Sequence, residues 1–263
     1  MNKIFFIFLT ILLFSKTILS RDIGETEILT DEGIEVFQNE KFYLLKKNVR
    51  IVSDNFKLFG DEVKIFFEKD LYDVVSIFAK NNVELDSSEY GIKSSGESMG
   101  INLVLEEITV EGLNSKLKLE DVEMFSDGKI IVNNLSGEFE ILGENSILNS
   151  DEIYIRGTEI DGIFSTLEGV KKTDEGAKRD IIKLNVKDNR ISNIKTEDID
   201  MYSKKAIYNK NTSIIELFED VKIIRESEII TGDYGTLDTE KKSYKVKSNN
   251  SNKVKALITN KDE

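Results

Sequence analysis

The chain has 263 residues, with 36 Lys+Arg against 49 Asp+Glu, a formal charge of −13, and no His, Cys, Trp or Pro. Without thiol or imidazole, disulfide frameworks, cysteine nucleophiles, His-dependent serine triads and His- or thiolate-bound zinc are excluded. The acidic balance argues against a duplex-binding surface, which needs a basic stripe, so no nucleic-acid partner is expected. What remains is carboxylate chemistry, oxygen-ligated metals, or binding without chemistry.

The chain opens as an export signal. Met1-Asn2-Lys3 is a short cationic start, and Ile4 to Phe14 is apolar except for Thr10. Lys16 interrupts the run and Ser20 is small. This three-part layout predicts a signal peptide over 1–20. The run falls short of the roughly 20 apolar residues of a bilayer span, although an uncleaved inner-membrane anchor is the alternative. Either way the remainder is exported, and periplasmic if the cell has two membranes.

From Glu27 onward the dominant period is two. Ile34-Glu35-Val36, Val49-Arg50-Ile51, Leu117-Lys118-Leu119, Ile153-Tyr154-Ile155, Val221-Lys222-Ile223 and Lys245-Val246-Lys247 alternate apolar with polar, as strands with one wet face do. Turn chemistry falls between at Ser53-Asp54-Asn55, Gly60-Asp61, Ser126-Asp127-Gly128, Lys187-Asp188-Asn189 and Gly232-Asp233. At a regular strand-and-turn spacing the chain should hold roughly 20 short strands. The charged run Lys171 to Asp180 reads as a loop, so units over 21–170 and 196–263 are expected, joined by a linker over 171–195.

An internal repeat is visible. Tyr43, Leu45, Asn48, Val49 and Ile51 have counterparts at Ile77, Ala79, Asn82, Val83 and Leu85, and again at Ile215, Leu217, Asp220, Val221 and Ile223. A looser copy is Leu117, Leu119, Asp121, Val122 and Met124. Leu58, Gly60 and Asp61 continue the first copy as Ile230, Gly232 and Asp233 continue the third. The unit reads as two strands around a tight Asn/Asp turn, with a second turn at Gly-Asp.

This pattern resembles the OstA-like family of lipopolysaccharide-transport proteins, whose periplasmic members are of the LptA type. Lys205-Ala206-Ile207-Tyr208, Asp220-Val221-Lys222-Ile223, Ile230-Thr231-Gly232-Asp233-Tyr234 and Val254-Lys255-Ala256 look like its successive strands and turns, and Thr30 to Val83 repeats the scheme. The middle, with Val122 to Gly137, is as similar to the anchored, LptC-type partner. The resemblance implies an all-β, V-shaped, extended antiparallel β-jellyroll. Its apolar inner face would shield the acyl chains of lipopolysaccharide, and its end edges would pair with other OstA-like modules or with a second copy, end to end. The expected groove positions are Tyr43, Leu45, Val49, Ile51, Leu58, Ile77, Val83, Ile215, Leu217, Val221, Ile223 and Ile230. No catalytic residue, metal or cofactor is expected. The lipid's anionic head groups sit uneasily with a charge of −13, so binding would have to be apolar.

From the residues alone, two other classes stay open. A structural or assembly protein would have these positions sealed in a closed core. A glycan-acting enzyme would need paired carboxylates in a cleft; Glu106-Glu107, Glu197-Asp198-Ile199-Asp200 and Glu219-Asp220 are the candidates, and none has calcium-loop spacing.

Overall fold

In the computed structural model, the residues described are 23–69, 73–165, 179–249 and 253–258; the expected signal over 1–20 lies outside them. They form eighteen strands, all antiparallel: β1 (Glu27–Leu29), β2 (Ile34–Phe37), β3 (Phe42–Val52), β4 (Phe56–Phe67), β5 (Val74–Ser87), β6 (Ile92–Asn102), β7 (Glu107–Glu111), β8 (Ser115–Leu119), β9 (Val122–Ser126), β10 (Lys129–Asn133), β11 (Glu138–Asn149), β12 (Tyr154–Phe164), β13 (Ile181–Lys195), β14 (Asp200–Asn209), β15 (Ile214–Arg225), β16 (Glu228–Asp238), β17 (Ser243–Lys247) and β18 (Lys255–Ile258).

Each long strand bends once and resumes. The ladder between β3 and β4 breaks between Lys46 and Val49, that between β14 and β15 between Tyr202 and Lys205, and that between β15 and β16 between Phe218 and Val221. The two parts of every long strand thereby belong to two wings of one jellyroll. The first wing holds segments such as Phe42–Lys46, Glu62–Phe67 and Ile214–Phe218; the second holds Val49–Val52, Phe56–Gly60 and Val221–Arg225. In the middle the short strands divide the same labour: β7 and β10 complete the first wing, β8 and β9 the second. At the ends, β1 and β2 flank the two halves of β3, and β17 and β18 flank the two halves of β16.

The repeat found in the sequence is the repeat of this corner. Lys47-Asn48, Asn81-Asn82 and Glu219-Asp220 take φ of +65 and +49°, +57 and +52°, and +62 and +54°. A left-handed pair costs about 1–2 kcal/mol per residue for most side chains and least for Asn, Asp and Gly, hence the Asn or Asp at the second position. The tight hairpin turn expected there is therefore corrected: neighbouring strands bend together and the chain continues into the other wing. Gly60-Asp61 and Gly232-Asp233, expected as turns, also lie in mid-strand, in β4 and β16. Of the four copies only the loosest is a hairpin turn, at Glu120-Asp121 between β8 and β9. Turn chemistry marks a corner here because a bulge needs the same left-handed backbone as a turn.

The linker expected over 171–195 is likewise revised. Ile181–Lys195 is β13, the longest strand, paired along both sides with β12 and β14. Its apolar positions alternate around the polar corner Lys187-Asp188-Asn189-Arg190, which masks the period in the sequence. Pairing continues strand to strand from β13 through β14 and β15 to β16.

One continuous apolar cluster lies between the wings, from Leu45 in β3 to Leu237 in β16. The outer faces carry lysines and an arginine folded over aromatic rings: Lys64 over Phe42, Lys205 over Phe218, Lys222 over Tyr202 and Arg50 over Phe59, all 5.5–5.7 Å from the centroid. The charges that interrupt the apolar residues along each strand therefore sit on the outer surface.

Candidate functional site: the space between the wings

Twelve positions were expected to face a groove, and the wings bring all of them to the inner side. They fall into two groups. Leu45, Leu58, Leu217, Val49, Val83 and Val221 are no more than 1% exposed; all but Leu58, which pairs with Ile51, lie beside the corner, where the wings meet. Farther out, Ile51 and Ile77 are 4% and 8% exposed and line a cavity of ≈930 Å³. Ile215 and Ile223 are buried, Ile215 lining a second cavity of ≈730 Å³. Tyr43 and Ile230 are half-buried, with the Tyr43 ring 5.0 Å from that of Phe67 and tilted 49° to it.

The first cavity opens at the wing tips of the N-terminal half. Val74, Ile65 and Ile101 come from the first wing, Phe56, Leu85 and Ile92 from the second. Both walls are apolar because the inward residue of each strand is apolar on either side of its corner, which keeps the alternation in phase across the bend. At ≈930 Å³ it lies near the top of the range of small-molecule pockets, about 300–1,000 Å³. Its polar lining residues include Ser53, Ser87, Asn102, Glu106 and Glu107, and its described lining holds no Lys or Arg. The Ser87 hydroxyl is buried in that wall with no hydrogen-bond partner among the described residues.

The second cavity lies in the C-terminal half and its walls are mixed. Val122, Ile153, Leu184, Ile199 and Leu237 line its floor, while Arg179, Lys210, Arg225 and Lys242 face Asp180, Glu197 and Asp198 around its mouth. Lys242 reaches from the β16–β17 turn to Asp198 in the β13–β14 turn, 3.5 Å away, joining the tips of the two wings. The Tyr244 hydroxyl on β17 donates to Glu228 at the far end of β16 and makes a second such crossing.

Between the cavities stands a polar bridge. Arg179, just before β13, donates through Nη2 to Asn134 Oδ1 at 2.5 Å, and its Nε lies 3.5 Å from Glu120 Oε1. Asn134 in turn donates to Glu106 Oε2 at 2.6 Å. Asn134 and Glu106 sit in tip turns of the first wing and Glu120 in the tip turn between β8 and β9 of the second, so the guanidinium spans the mouth. Its side chain is 6% exposed. Burial pushes the Glu120 carboxyl above its ordinary value, more than the Arg179 guanidinium pulls it down. Nothing in the sequence singled out Arg179, which closes a charged run that reads as an ordinary solvated loop. Leu85 was legible as the repeat counterpart of Ile51; Phe56, Val74 and Ile101 carried no signal beyond being apolar.

The acidic groups suggested for chemistry stay apart. Glu106 is engaged with Asn134. Glu219-Asp220 forms the corner of β15, with Lys204 3.1 Å from Asp220. Glu197 and Asp198 belong to the second mouth. Among the described residues no group of three carboxylates could hold a metal ion.

No protein-family model matches the chain, and no curated protein matches its sequence. Among solved structures the chain is similar to LptH of Pseudomonas aeruginosa, described as the LptA-homologous periplasmic component of the lipopolysaccharide transport device. The identity is 9%, over 90% of this chain and 96% of that one, with a TM-score of 0.24.

Proposed function

We propose that the chain is an exported, OstA-like lipid-binding module that shelters the acyl chains of lipopolysaccharide between its wings and carries out no chemistry. The observation that carries the reading is the apolar cavity of ≈930 Å³ at the open tips of the wings. Space of this kind is unfavourable when filled with water, and covering its walls with hydrocarbon releases about 25 cal/mol per Å². The groove residues of the reading are the outer ones, Ile51, Ile77 and Ile215, with the corner residues as their foundation. Head groups would stay at the acidic mouth, in solvent or bridged by cations.

The edges supply the second part of the reading. Among the described residues β1 and β2 pair only with β3, and β17 and β18 only with β16. These edge strands carry half-exposed Leu29, Ile34, Val36 and Leu257. An open strand edge with apolar side chains is a template for strand addition, and another OstA-like module or a second copy is the proposed partner.

Photo-crosslinking in cells tests the lipid reading. A photoreactive residue replaces Ile77 or Ile215 in turn, with outward-facing Lys222 as the control. Lipopolysaccharide adducts at both isoleucines and none at Lys222 are expected. A folded, exported protein without adducts at either position would leave a closed core, as in a structural or assembly protein.

A further inference from the structure

The mouth of the trough is not continuous, and its interruption is built from buried polar groups. Arg179 reaches Asn134 on one wing and Glu120 on the other. Asn134 and Glu106 line the N-terminal cavity, while Arg179 and the Asp121 that follows Glu120 line the C-terminal one. The bridge is thus the shared partition of two cavities. A buried guanidinium in such a place is costly unless it is paired; Arg179 ties the wings through the Nη2 hydrogen bond to Asn134 and the ion pair of Nε with Glu120, while neither Nε nor Nη1 has a hydrogen-bond partner among the described residues. For a chain to slide along the trough with its head group outside, this crossing would have to open.

We propose that the Arg179 bridge divides the trough into two compartments that fill independently, each with one hydrocarbon chain of a bound lipid. The inference rests on the lipid-binding reading above and specifies it. The N-terminal compartment, at ≈930 Å³, is about six times the roughly 150 Å³ apolar cavity that stays dry and binds benzene.

The chain contains no Trp, so Phe56→Trp in the N-terminal wall and Tyr208→Trp in the C-terminal wall each give a single emitter in the full chain. The probe is dodecyl maltoside brominated on its chain, added below its micelle concentration. Quenching of both reporters is expected, with two probes per chain by native mass spectrometry. Filling the N-terminal compartment with Ile101→Phe should weaken quenching of the Phe56→Trp reporter at least tenfold and leave the Tyr208→Trp reporter unchanged. Loss of both signals on filling one compartment, or one probe per chain, would overturn the inference. The stoichiometry is read on chains that retain Ile101, so it stands even if Ile101→Phe does not fold. Lipopolysaccharide adducts at Ile77 and Ile215 together with single-probe binding would leave the lipid reading intact and remove only the partition. Absence of both adducts and quenching would remove the reading itself.

Discussion

Leu85 and Ile223 occupy the same place in the repeat, two residues beyond the valine that follows each corner, yet they end in different surroundings. Leu85 is 4% exposed and forms part of the wall of the ≈930 Å³ cavity. Ile223 is 1% exposed and sits in the ladder between Met201 and Ile230. The corners are alike in backbone; what differs is how the wing tips are held. In the C-terminal half they are tied by Lys242 to Asp198 and by Tyr244 to Glu228, while in the N-terminal half apolar walls face each other across open space. The difference teaches that the repeat fixes the bend, and that the polar residues in the tip turns decide how freely the space beyond the bend opens.

The largest effect that would sharpen this comparison is on stability. Removing a large buried aliphatic side chain costs about 2–5 kcal/mol, and the cost grows with the cavity left behind. Ile223→Ala should fall near the top of that range because its neighbours close around it. Leu85→Ala should fall near the bottom, since one side of Leu85 already faces a cavity. Equilibrium urea unfolding of both variants measures the gap. Equal losses would mean that the N-terminal wall is packed as tightly as the C-terminal one.

This contrast also shows what could be read from the chain alone. Period-two alternation gave the all-β architecture, and the Asn/Asp-Val spacing located three of the corners. A one-dimensional pattern cannot say whether a left-handed pair reverses the chain or only bends it, because both need the same backbone at the same residues; the partner strand decides, and at Asn82 that partner is Asp61, whose carboxylate accepts from Asn82 Nδ2 at 3.1 Å. Strand β13 was hidden for a related reason, its apolar residues being split by a polar corner next to a charged run. The bridge was illegible because Glu106, Glu120, Asn134 and Arg179 come from four separate segments and each looks like ordinary surface. Inward positions followed from alternation, but whether an inward side chain meets protein or space depends on the opposite wing.

A middle-sized effect comes from the partition between the two halves. Arg179→Met keeps the length of the side chain and removes its charge, leaving Glu120 partly buried without its cation. A loss of about 1–3 kcal/mol at neutral pH is expected, the scale of hydrogen bonds to charged groups. The pH dependence carries the sign. The Glu120 carboxyl is already raised by burial, so its folded form binds the proton more readily than its unfolded form. Its contribution to stability is therefore full below the ordinary carboxyl value and declines as pH rises through the raised one. Removing Arg179 raises it further, so the deficit of Arg179→Met against the parent should shrink as pH falls from neutral toward 5. A deficit independent of pH would detach Glu120 from the bridge.

The smallest effect probes the ties of the C-terminal half. Burial, then the hydrogen bond to Glu228, pushes the Tyr244 phenol up to about 12; on the outer face of the same wing, the hydrogen bond to Glu216 at 2.6 Å does the same for Tyr234. A phenol raised in the folded state stabilises it fully below the ordinary value near 10, and that contribution disappears as pH rises through about 12. Tyr244→Phe should therefore cost no more than about 1 kcal/mol near neutrality, the net worth of one hydrogen bond. In spectrophotometric titration it should remove the late phenolate step of Tyr244 and leave that of Tyr234. If the tie matters to the shape of the mouth, the same variant should also let the C-terminal reporter at position 208 bind the brominated probe more tightly, because the wing tips are no longer joined there. Unchanged binding with the late step lost would show that Lys242 and Asp198 hold those tips without the tyrosine.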